Sequence, residues 1–288
     1  MRPYQILDVF THRPLAGNPL AVVFEADELD AAAMQAIAGE FNLSETVFVK
    51  RPADADNTAA ARIFTPKAEM PFAGHPTLGT AVALARLRGL ANVRLELKAG
   101  LAVCEVAPGP LGLATVTAPR VPTLEDTPLD LAAVASALSL EPDDLATDWH
   151  APVVGTSGPR FTLVPLASLD ALARAAAAMG HWDAFPAGAD GVFLAVRTGP
   201  NTLRARMFAP THGVAEDPAT GSAAVGLAAL IARTDRLGEG RTEFAITQGV
   251  EMGRPSGIGL ALTLAGGSLT AVDLSGTAVL VAEGRLLV

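Results

Sequence analysis

The chain contains the stretch Arg62-Ile-Phe-Thr-Pro66 followed by Pro76-Thr-Leu-Gly-Thr-Ala81, and it contains a second copy of this arrangement further on. The second copy reads Arg206-Met-Phe-Ala-Pro210 followed by Pro218-Ala-Thr-Gly-Ser-Ala223. Both copies have the pattern R-x-F-x-P, a short loop, and then P-x-x-G-[ST]-A at the start of an alanine-rich apolar run. Because the matching positions keep the same order, we interpret the two halves of the chain as a duplication. The sequence therefore predicts two related domains.

Each copy predicts a buried helix that begins at its second proline. Proline is favoured at the first helical position, so we expect helices over 76–88 and 218–232, with His75 and Asp217 as their N-caps. Both runs are almost wholly apolar, which is typical of a helix buried on all sides. The N-terminus of such a helix presents free backbone N–H groups and a partial positive charge. The two N-termini are therefore candidate binding sites for an anion such as a carboxylate.

The rest of the sequence consists mainly of short apolar runs bounded by turn residues, which predict strands. Two of these runs, 269–274 and 278–283, lie near the C-terminus. Further helices are predicted at 30–40, 129–138 and 169–179. Many strands with few helices indicate an α+β fold.

A proline-rich stretch, 118–128, divides the sequence and predicts an extended linker. We therefore expect one domain over 1–118 and a second over 129–276. The last strand, within 277–288, is in a position to return and complete the first domain.

Composition excludes several classes of protein. The chain has 288 residues, of which 50% are hydrophobic and 18% charged, and this favours a folded protein with a large core over a disordered one. The 30 acidic residues exceed the 21 lysines and arginines, which argues against a nucleic-acid partner. Cys104 is the single cysteine, so the sequence offers neither an intramolecular disulfide nor a zinc-ligand pattern. No signal peptide or membrane-spanning run is evident, and a cytoplasmic location is expected.

Three ionisable residues are candidates for chemistry. His75 and Asp217 precede the two prolines that mark the central helices, and each therefore lies beside a candidate anion site. Glu45 comes directly before the predicted strand 46–49, where partial burial between Leu43 and Val47 would raise the pKa of its carboxyl toward the range of a general acid/base. Each residue also has a structural interpretation, as a structural histidine for His75, as an N-cap for Asp217 and as a solvated loop residue for Glu45.

Several blocks of the sequence, in this order, resemble the phenazine-biosynthesis PhzF-like isomerases over essentially the whole chain. The blocks are Asp8-Val-Phe-Thr11, Gly17-Asn-Pro-Leu-Ala-Val22, Glu40-Phe-Asn-Leu-Ser-Glu-Thr-Val-Phe-Val49, Phe64-Thr-Pro66, Phe72-Ala-Gly-His-Pro-Thr-Leu-Gly79, Glu216-Asp-Pro-Ala-Thr-Gly-Ser-Ala223, Gln248-Gly249 and Met252-Gly-Arg-Pro-Ser256. The resemblance implies a diaminopimelate-epimerase-like fold, in which two pseudo-symmetric domains each form a strand-rich, barrel-like cage around a central helix. It also implies an active site in the cleft between the domains.

The resemblance further implies a homodimeric enzyme that moves protons on a small carboxylate-bearing substrate without a cofactor or metal. By motif, Glu45 resembles the general acid/base of the family, and His75 and Asp217 resemble its catalytic partners. The residues that resemble the substrate-binding positions are Asn18, Gly74, Gly221 and Ser222.

The single cysteine bears on the mechanism. Related epimerases and proline racemases use two facing thiols, one at each helix N-terminus, whereas Cys104 lies outside both of these positions. We therefore expect one carboxylate to take a proton and return it at an allylic position. Two alternatives remain open from the sequence, namely an amino-acid racemase or epimerase with Glu45 and Asp217 as opposed bases, and a non-catalytic protein that binds small acids. The substrate itself is not determined by the sequence.

Overall fold

The structure is a computed structural model that describes residues 1–109 and 112–288. These residues form two compact units. The first unit contains Met1–Pro119, Arg254–Gly257 and Leu274–Val288, and the second contains Arg120–Gly253 and Ile258–Asp273. The segment Arg254–Gly257, which the sequence interpretation assigns to the second domain, therefore belongs to the first unit.

The first unit is a set of strands around one buried helix. Its elements are the strands β1 (Arg2–Val9), β2 (Asn18–Val23), β3 (Glu45–Lys50), β4 (Ala59–Phe64), β5 (Glu69–Met70), β6 (Asn92–Leu97), β7 (Gly100–Val106) and β8 (Leu113–Thr117), and the helices α1 (Ala31–Phe41) and α2 (Gly74–Arg88). Strand β1 is antiparallel to β2, β2 is parallel to β3, β3 is antiparallel to β4, and β4 is parallel to β6. Helix α2 packs against β1, β2, β3, β6, β7 and β8, and its residues are buried from Gly74 to Ala85.

The second unit repeats this order of elements. Its elements are the strands β9 (Thr123–Glu125), β10 (Val153–Thr156), β11 (Arg160–Pro165), β12 (Gly191–Gly199), β13 (Thr202–Ala209), β14 (Val214–Asp217), β15 (Gly240–Gln248) and β16 (Ser256–Ala265), and the helices α3 (Leu131–Ala137), α4 (Leu169–Arg174) and α5 (Gly221–Thr234). Strand β10 is antiparallel to β11, β11 is parallel to β12, and β13 is antiparallel to β12 and parallel to β15. Helix α5 packs against β9, β10 and β11. The last strand, β17 (Ser268–Leu286), begins in the second unit and ends in the first, where it pairs with β1.

The repeated R-x-F-x-P pattern has the same structural role in both units. The arginine lies over the ring of the phenylalanine two positions later and forms an ion pair with a glutamate of the following short strand. The contacts are Arg62 with Glu69 at 2.7 Å and with the Phe64 ring at 5.1 Å, and Arg206 with Glu216 at 2.8 Å and with the Phe208 ring at 4.9 Å. The motif therefore fixes the hairpin that leads into each central helix.

Some elements differ from the sequence predictions. The proline-rich stretch is not only a linker, because β9 forms within it and pairs with β10, a strand that the sequence reading did not identify. The predicted strands 269–274 and 278–283 form one strand, β17, which continues through Gly276. A side chain at Gly276 would overlap the ring of Phe10, so this glycine permits close packing and does not form a turn. The predicted helix 169–179 ends at Arg174. Among the described residues, no helix is long and apolar enough to cross a membrane.

Candidate active site

Glu45 and His75 lie side by side in the first unit. Nε2 of His75 is 3.3 Å from Oε2 of Glu45, and the two side chains are 5% and 15% exposed. Glu45 is the first residue of β3, and His75 lies in the first turn of α2, which packs against β3. The fold therefore brings together two of the three ionisable residues that the sequence identifies.

Helix α2 begins earlier than its proline. The N-cap is Ala73, and His75 is the second helical residue, so the prediction of His75 as the N-cap was wrong. Proline is tolerated at Pro76 because the N–H groups of the first turn have no intrahelical acceptor in any case. Ala73 makes no side-chain capping bond. The buried Gly74 and His75 therefore begin the helix at an end with a partial positive charge.

His75 is held in its neutral form. Burial lowers the pKa of the imidazole to about 3, although a hydrogen bond to the backbone of Pro19 acts in the opposite direction. Proline has no N–H, so the Pro19 carbonyl is the acceptor. Nε2 of His75 makes no hydrogen bond to any described residue, which leaves Nδ1 as the donor. Nε2 is therefore the ring nitrogen that bears no proton, and it lies 3.3 Å from Oε2 of Glu45.

Asn18 begins strand β2 directly before Pro19 and is fully buried. Its ladder partner on β1 is Val9. The next residue, Pro19, accepts a hydrogen bond from His75 through its carbonyl. The predicted binding residue Asn18 therefore belongs to the same local structure as the Glu45–His75 pair.

Asp217 lies in the second unit at the end of β14 and is buried. Helix α5 begins at Gly221 with Thr220 as its N-cap, so the prediction of Asp217 as the cap was wrong. The Thr220 hydroxyl donates to Oδ2 of Asp217 at 2.6 Å. Ser222 is the second residue of the helix, and its carbonyl accepts a long hydrogen bond of 3.4 Å from the hydroxyl of Ser157. The predicted residues Asp217, Gly221 and Ser222 thus lie around one helix N-terminus.

Sequence reasoning missed the role of Gln248. This fully buried side chain ends β15 and accepts the Thr220 N–H at 3.0 Å. Its amide also donates to the Asp217 carbonyl at 2.8 Å and to the Thr220 hydroxyl at 3.1 Å. The available signal was a polar residue at the end of an alternating strand, followed by Gly249. Gln248 therefore joins the end of β14 to the start of α5.

The remaining candidate groups do not add to the site. Cys104 is buried in β7, and burial raises the pKa of its thiol to about 12, so the thiolate that a nucleophile requires is not formed near neutral pH. Within residues 1–109 and 112–288, no group of three or more His, Cys, Asp or Glu side chains is arranged to hold a metal ion.

A strand-rich unit around a buried helix, present twice in one chain, defines the α+β class of diaminopimelate-epimerase-like proteins. A family model described as phenazine biosynthesis-like protein matches residues 7–284. The chain therefore belongs to this family.

Similarity to individual proteins extends over the whole length. The chain is 39% identical to an uncharacterized isomerase of Mesorhizobium japonicum, with 100% of this chain and 99% of the relative covered. It is also 39% identical to the trans-2,3-dihydro-3-hydroxyanthranilate isomerase of Pseudomonas aeruginosa, with 99% of each covered. A Bacillus anthracis phenazine biosynthesis protein of the PhzF family has a similar structure, with a TM-score of 0.87, 27% identity, and 100% and 99% of the two chains covered. The chain is an enzyme of the isomerase class.

Proposed function

We propose that the protein is a cofactor-independent isomerase that shifts a proton on a small carboxylate-bearing substrate, with Glu45 as the general acid/base. The observation that carries this proposal is the 3.3 Å contact between Oε2 of Glu45 and Nε2 of a neutral His75. An imidazole with a bare nitrogen can accept a hydrogen bond from a carboxyl group that has just taken up a proton.

The proposed reaction moves one proton and one double bond. The Glu45 carboxylate takes a proton from an activated carbon of the substrate, and the electron pair of that C–H bond shifts the neighbouring double bond. Glu45 then returns the proton at the allylic position on the same face, which restores the carboxylate. While Glu45 carries the proton, Nε2 of His75 accepts its hydrogen bond. General acid/base catalysis of this kind contributes about 10² to 10⁴ in rate, and positioning and electrostatics supply the rest.

The substrate carboxylate is assigned to the helix N-termini. The N–H groups of Gly74 and His75 begin α2, and those of Gly221 and Ser222 begin α5, and neither helix has a side-chain capping bond from its N-cap residue. Because the two N-termini are copies of one sequence motif, we assign both to the substrate. Each contributes about 0.3–1 kcal/mol at a surface and up to about 2 kcal/mol when partly buried. An acidic protein can bind a small acid in this way without lysine or arginine.

Asp217 and Asn18 complete the proposed site. Asp217 is positioned by Thr220 and Gln248 at the start of α5, where a buried carboxyl group suits proton relay or the orientation of a substrate amine. Asn18 is the buried residue directly before Pro19, and we keep it as a candidate binding residue because of this position. Since a 39% identical relative is named trans-2,3-dihydro-3-hydroxyanthranilate isomerase, we propose that compound, a cyclic amino acid, as the first substrate to test.

The function is tested by incubating the protein in D₂O with a panel of small cyclic acids and amino acids that includes this compound. NMR of the recovered material is expected to show a shifted double bond, with solvent deuterium at the carbon that receives the proton in those turnovers in which the proton on the partly exposed Glu45 carboxyl exchanges with D₂O before it is returned. Deuterium uptake with loss of optical purity and no bond shift would support a racemase that uses Glu45 and Asp217. Binding of a panel acid with neither exchange nor bond shift over a range of pH would support the non-catalytic alternative.

A further inference from the structure

The segment Arg254–Gly257 holds the loop that leads into the site residue Asn18. It belongs to the first unit although the chain on either side of it belongs to the second. Its Pro255 carbonyl accepts the N–H of Gly17 at 3.3 Å, and its Gly257 N–H donates to the carbonyl of Phe10 at 2.7 Å. Both ends of the loop 10–17 are therefore fixed by one short segment from a distant part of the sequence.

The side chain of Arg254 makes the strongest of these contacts. Its Nε donates to the Gly17 carbonyl at 2.8 Å, and its Nη2 donates to the Ala16 carbonyl at 2.8 Å. Nη2 also lies 2.6 Å from Oδ1 of Asp8, whose side chain is only 3% exposed. The other oxygen of Asp8 accepts the N–H of Leu15 at 2.7 Å. Charge-assisted hydrogen bonds of this kind are stronger than neutral ones and are directional.

The loop depends on contacts from outside itself. Phe10, Leu15 and Gly17 have φ values of 61°, 65° and 65°, in the left-handed region. Residues with bulky side chains rarely adopt this conformation, and it persists only where the surroundings enforce it. Removal of the Arg254 contacts is therefore expected to change the path of the backbone that enters β2.

That path ends at the group that orients His75. Asp8 is the direct ladder partner of Pro19 in the pairing of β1 with β2, and Gly17 lies two residues before Pro19. The Pro19 carbonyl in turn accepts the Nδ1–H of His75. The contacts thus run from Arg254 through Asp8 and the Gly17 backbone to the acceptor that decides which nitrogen of His75 bears the proton.

We propose that Arg254 is a positioning residue that holds the Pro19 carbonyl in place and thereby keeps Nε2 of His75 available to accept a hydrogen bond from Glu45 while Glu45 carries the proton. This inference rests on the function proposed above. If the carbonyl moves, Nδ1 loses its acceptor in a buried site, and the tautomer with a proton on Nε2 becomes competitive. A proton on Nε2 would point at Glu45, and the imidazole could then no longer accept the hydrogen bond that the reaction requires.

The test compares ¹⁵N NMR of His75 in the substrate-free protein before and after substitution of Arg254. Histidine is labelled with ¹⁵N, and the His75 signals are assigned by their loss in His75→Gln. The wild type is expected to show a protonated Nδ1 and a bare Nε2. In Arg254→Met the two shifts are expected to move toward each other, and kcat to fall about 10- to 100-fold with a smaller change in KM.

A matched control uses Arg204, another partly buried arginine that pairs with one carboxylate, Glu251, at 2.7 Å in the second unit. Arg204→Met is expected to leave the His75 shifts and kcat unchanged. Arg254→Lys keeps a cation beside Asp8 but removes the guanidinium that donates to the carbonyls of Ala16 and Gly17. If Arg254→Met does not fold, the His75 shifts and kcat of Arg254→Lys are compared with those of the wild type instead. A folded Arg254 variant with wild-type His75 shifts would overturn the proposal. Shifts that move in a protein with no activity on the acid panel would instead overturn only the proposed function.

Discussion

Burial of His75 sets the protonation state of its imidazole, and this state determines its proposed role in the reaction. In the folded protein the pKa of its imidazole is about 3, compared with 6.5 for an exposed histidine. As the pH falls below 6.5, the imidazole of His75 becomes protonated in the unfolded chain but stays neutral in the folded chain. Protonation therefore favours unfolding. The stability that the neutral histidine provides is therefore present above pH 6.5 and is lost progressively toward pH 3.

We expect this histidine alone to reduce the free energy of unfolding by about 2 kcal/mol between pH 7 and pH 5. The measurement is urea unfolding at both pH values for the wild type and for His75→Gln, in which the titrating group is absent. The difference between the two proteins isolates His75 from the other ionisable groups. Equal losses of stability in the two proteins would show that His75 is not held neutral by burial.

At the same scale, the sequence pointed to three ionisable candidates for the site, whose roles stay predictions, and it did not reveal the contacts of two further residues. Glu45, His75 and Asp217 stand out because their motifs place them beside recognisable helix starts and strand starts. Gln248 and Arg254 act through contacts with residues far away in the sequence, such as the one between Arg254 and Asp8. No local pattern of residue types encodes a partner at that separation, so only the folded structure reveals these roles.

At the scale of elements, proline marks the region of a helix start but not the residue. The sequence placed both central helices at their prolines, whereas α2 begins at Gly74 and α5 begins at Gly221. A proline fits anywhere in the first turn or just before it, because the N–H that it lacks has no intrahelical acceptor there. The existence and burial of both helices were predictable, whereas the identity of their N-caps was not.

The two central helices also differ in how closely they pack, and this difference gives a matched pair of variants. A Cβ on Gly79 of α2 would lie 2.5 Å from Leu20 and 2.7 Å from Val9, both fully buried on neighbouring strands. We therefore expect Gly79→Ala to destabilise the protein by about 1–3 kcal/mol through overpacking. Urea unfolding with fitted m-values measures the change.

The control is Gly226→Ala on α5, where the added methyl group would be 3.6 Å from the backbone of Gly155, an ordinary contact distance. Alanine favours a helix over glycine by about 0.8–1 kcal/mol, so this variant is expected to be neutral or slightly more stable. If Gly79→Ala were as stable as Gly226→Ala, the close packing of α2 against β1 and β2 would be wrong.

At the scale of the whole molecule, the duplicated motif predicted two units with the same order of elements, and the fold class is as expected. The sequence does not fully specify which segments of the chain belong to which unit. The sequence raised a return of the last strand to the first domain, and the end of β17 lies in the first unit, but the sequence assigned Arg254–Gly257 to the second domain whereas this segment belongs to the first unit. Such returns of the chain depend on pairing between strands that are distant in sequence, which strand patterns alone do not specify.

The return of β17 has a consequence for stability. Its second half pairs with β1 from Val9 opposite Ala278 to Arg2 opposite Leu286. Truncation after Gly276 removes this pairing, and we expect the first unit to lose its protection from proteolysis and hydrogen exchange. Truncation after Leu286 removes only Leu287 and Val288, which are both exposed, and is expected to leave protection almost unchanged. Equal protection in the two truncated proteins would show that β17 does not complete the unit.

Glu45 is the residue proposed to carry the transferred proton, and solvent-deuterium incorporation by Glu45→Gln tests this role most directly. The variant preserves the shape of the side chain and removes its acid/base function, so it is expected to fold, to bind the acid that the wild type converts, and to lose about 10² to 10⁴ in the rates of exchange and turnover. Glu40→Gln, a substitution at an exposed glutamate of α1, is expected to retain full activity. Wild-type exchange and turnover by a correctly folded Glu45→Gln would show that Glu45 does not carry the proton.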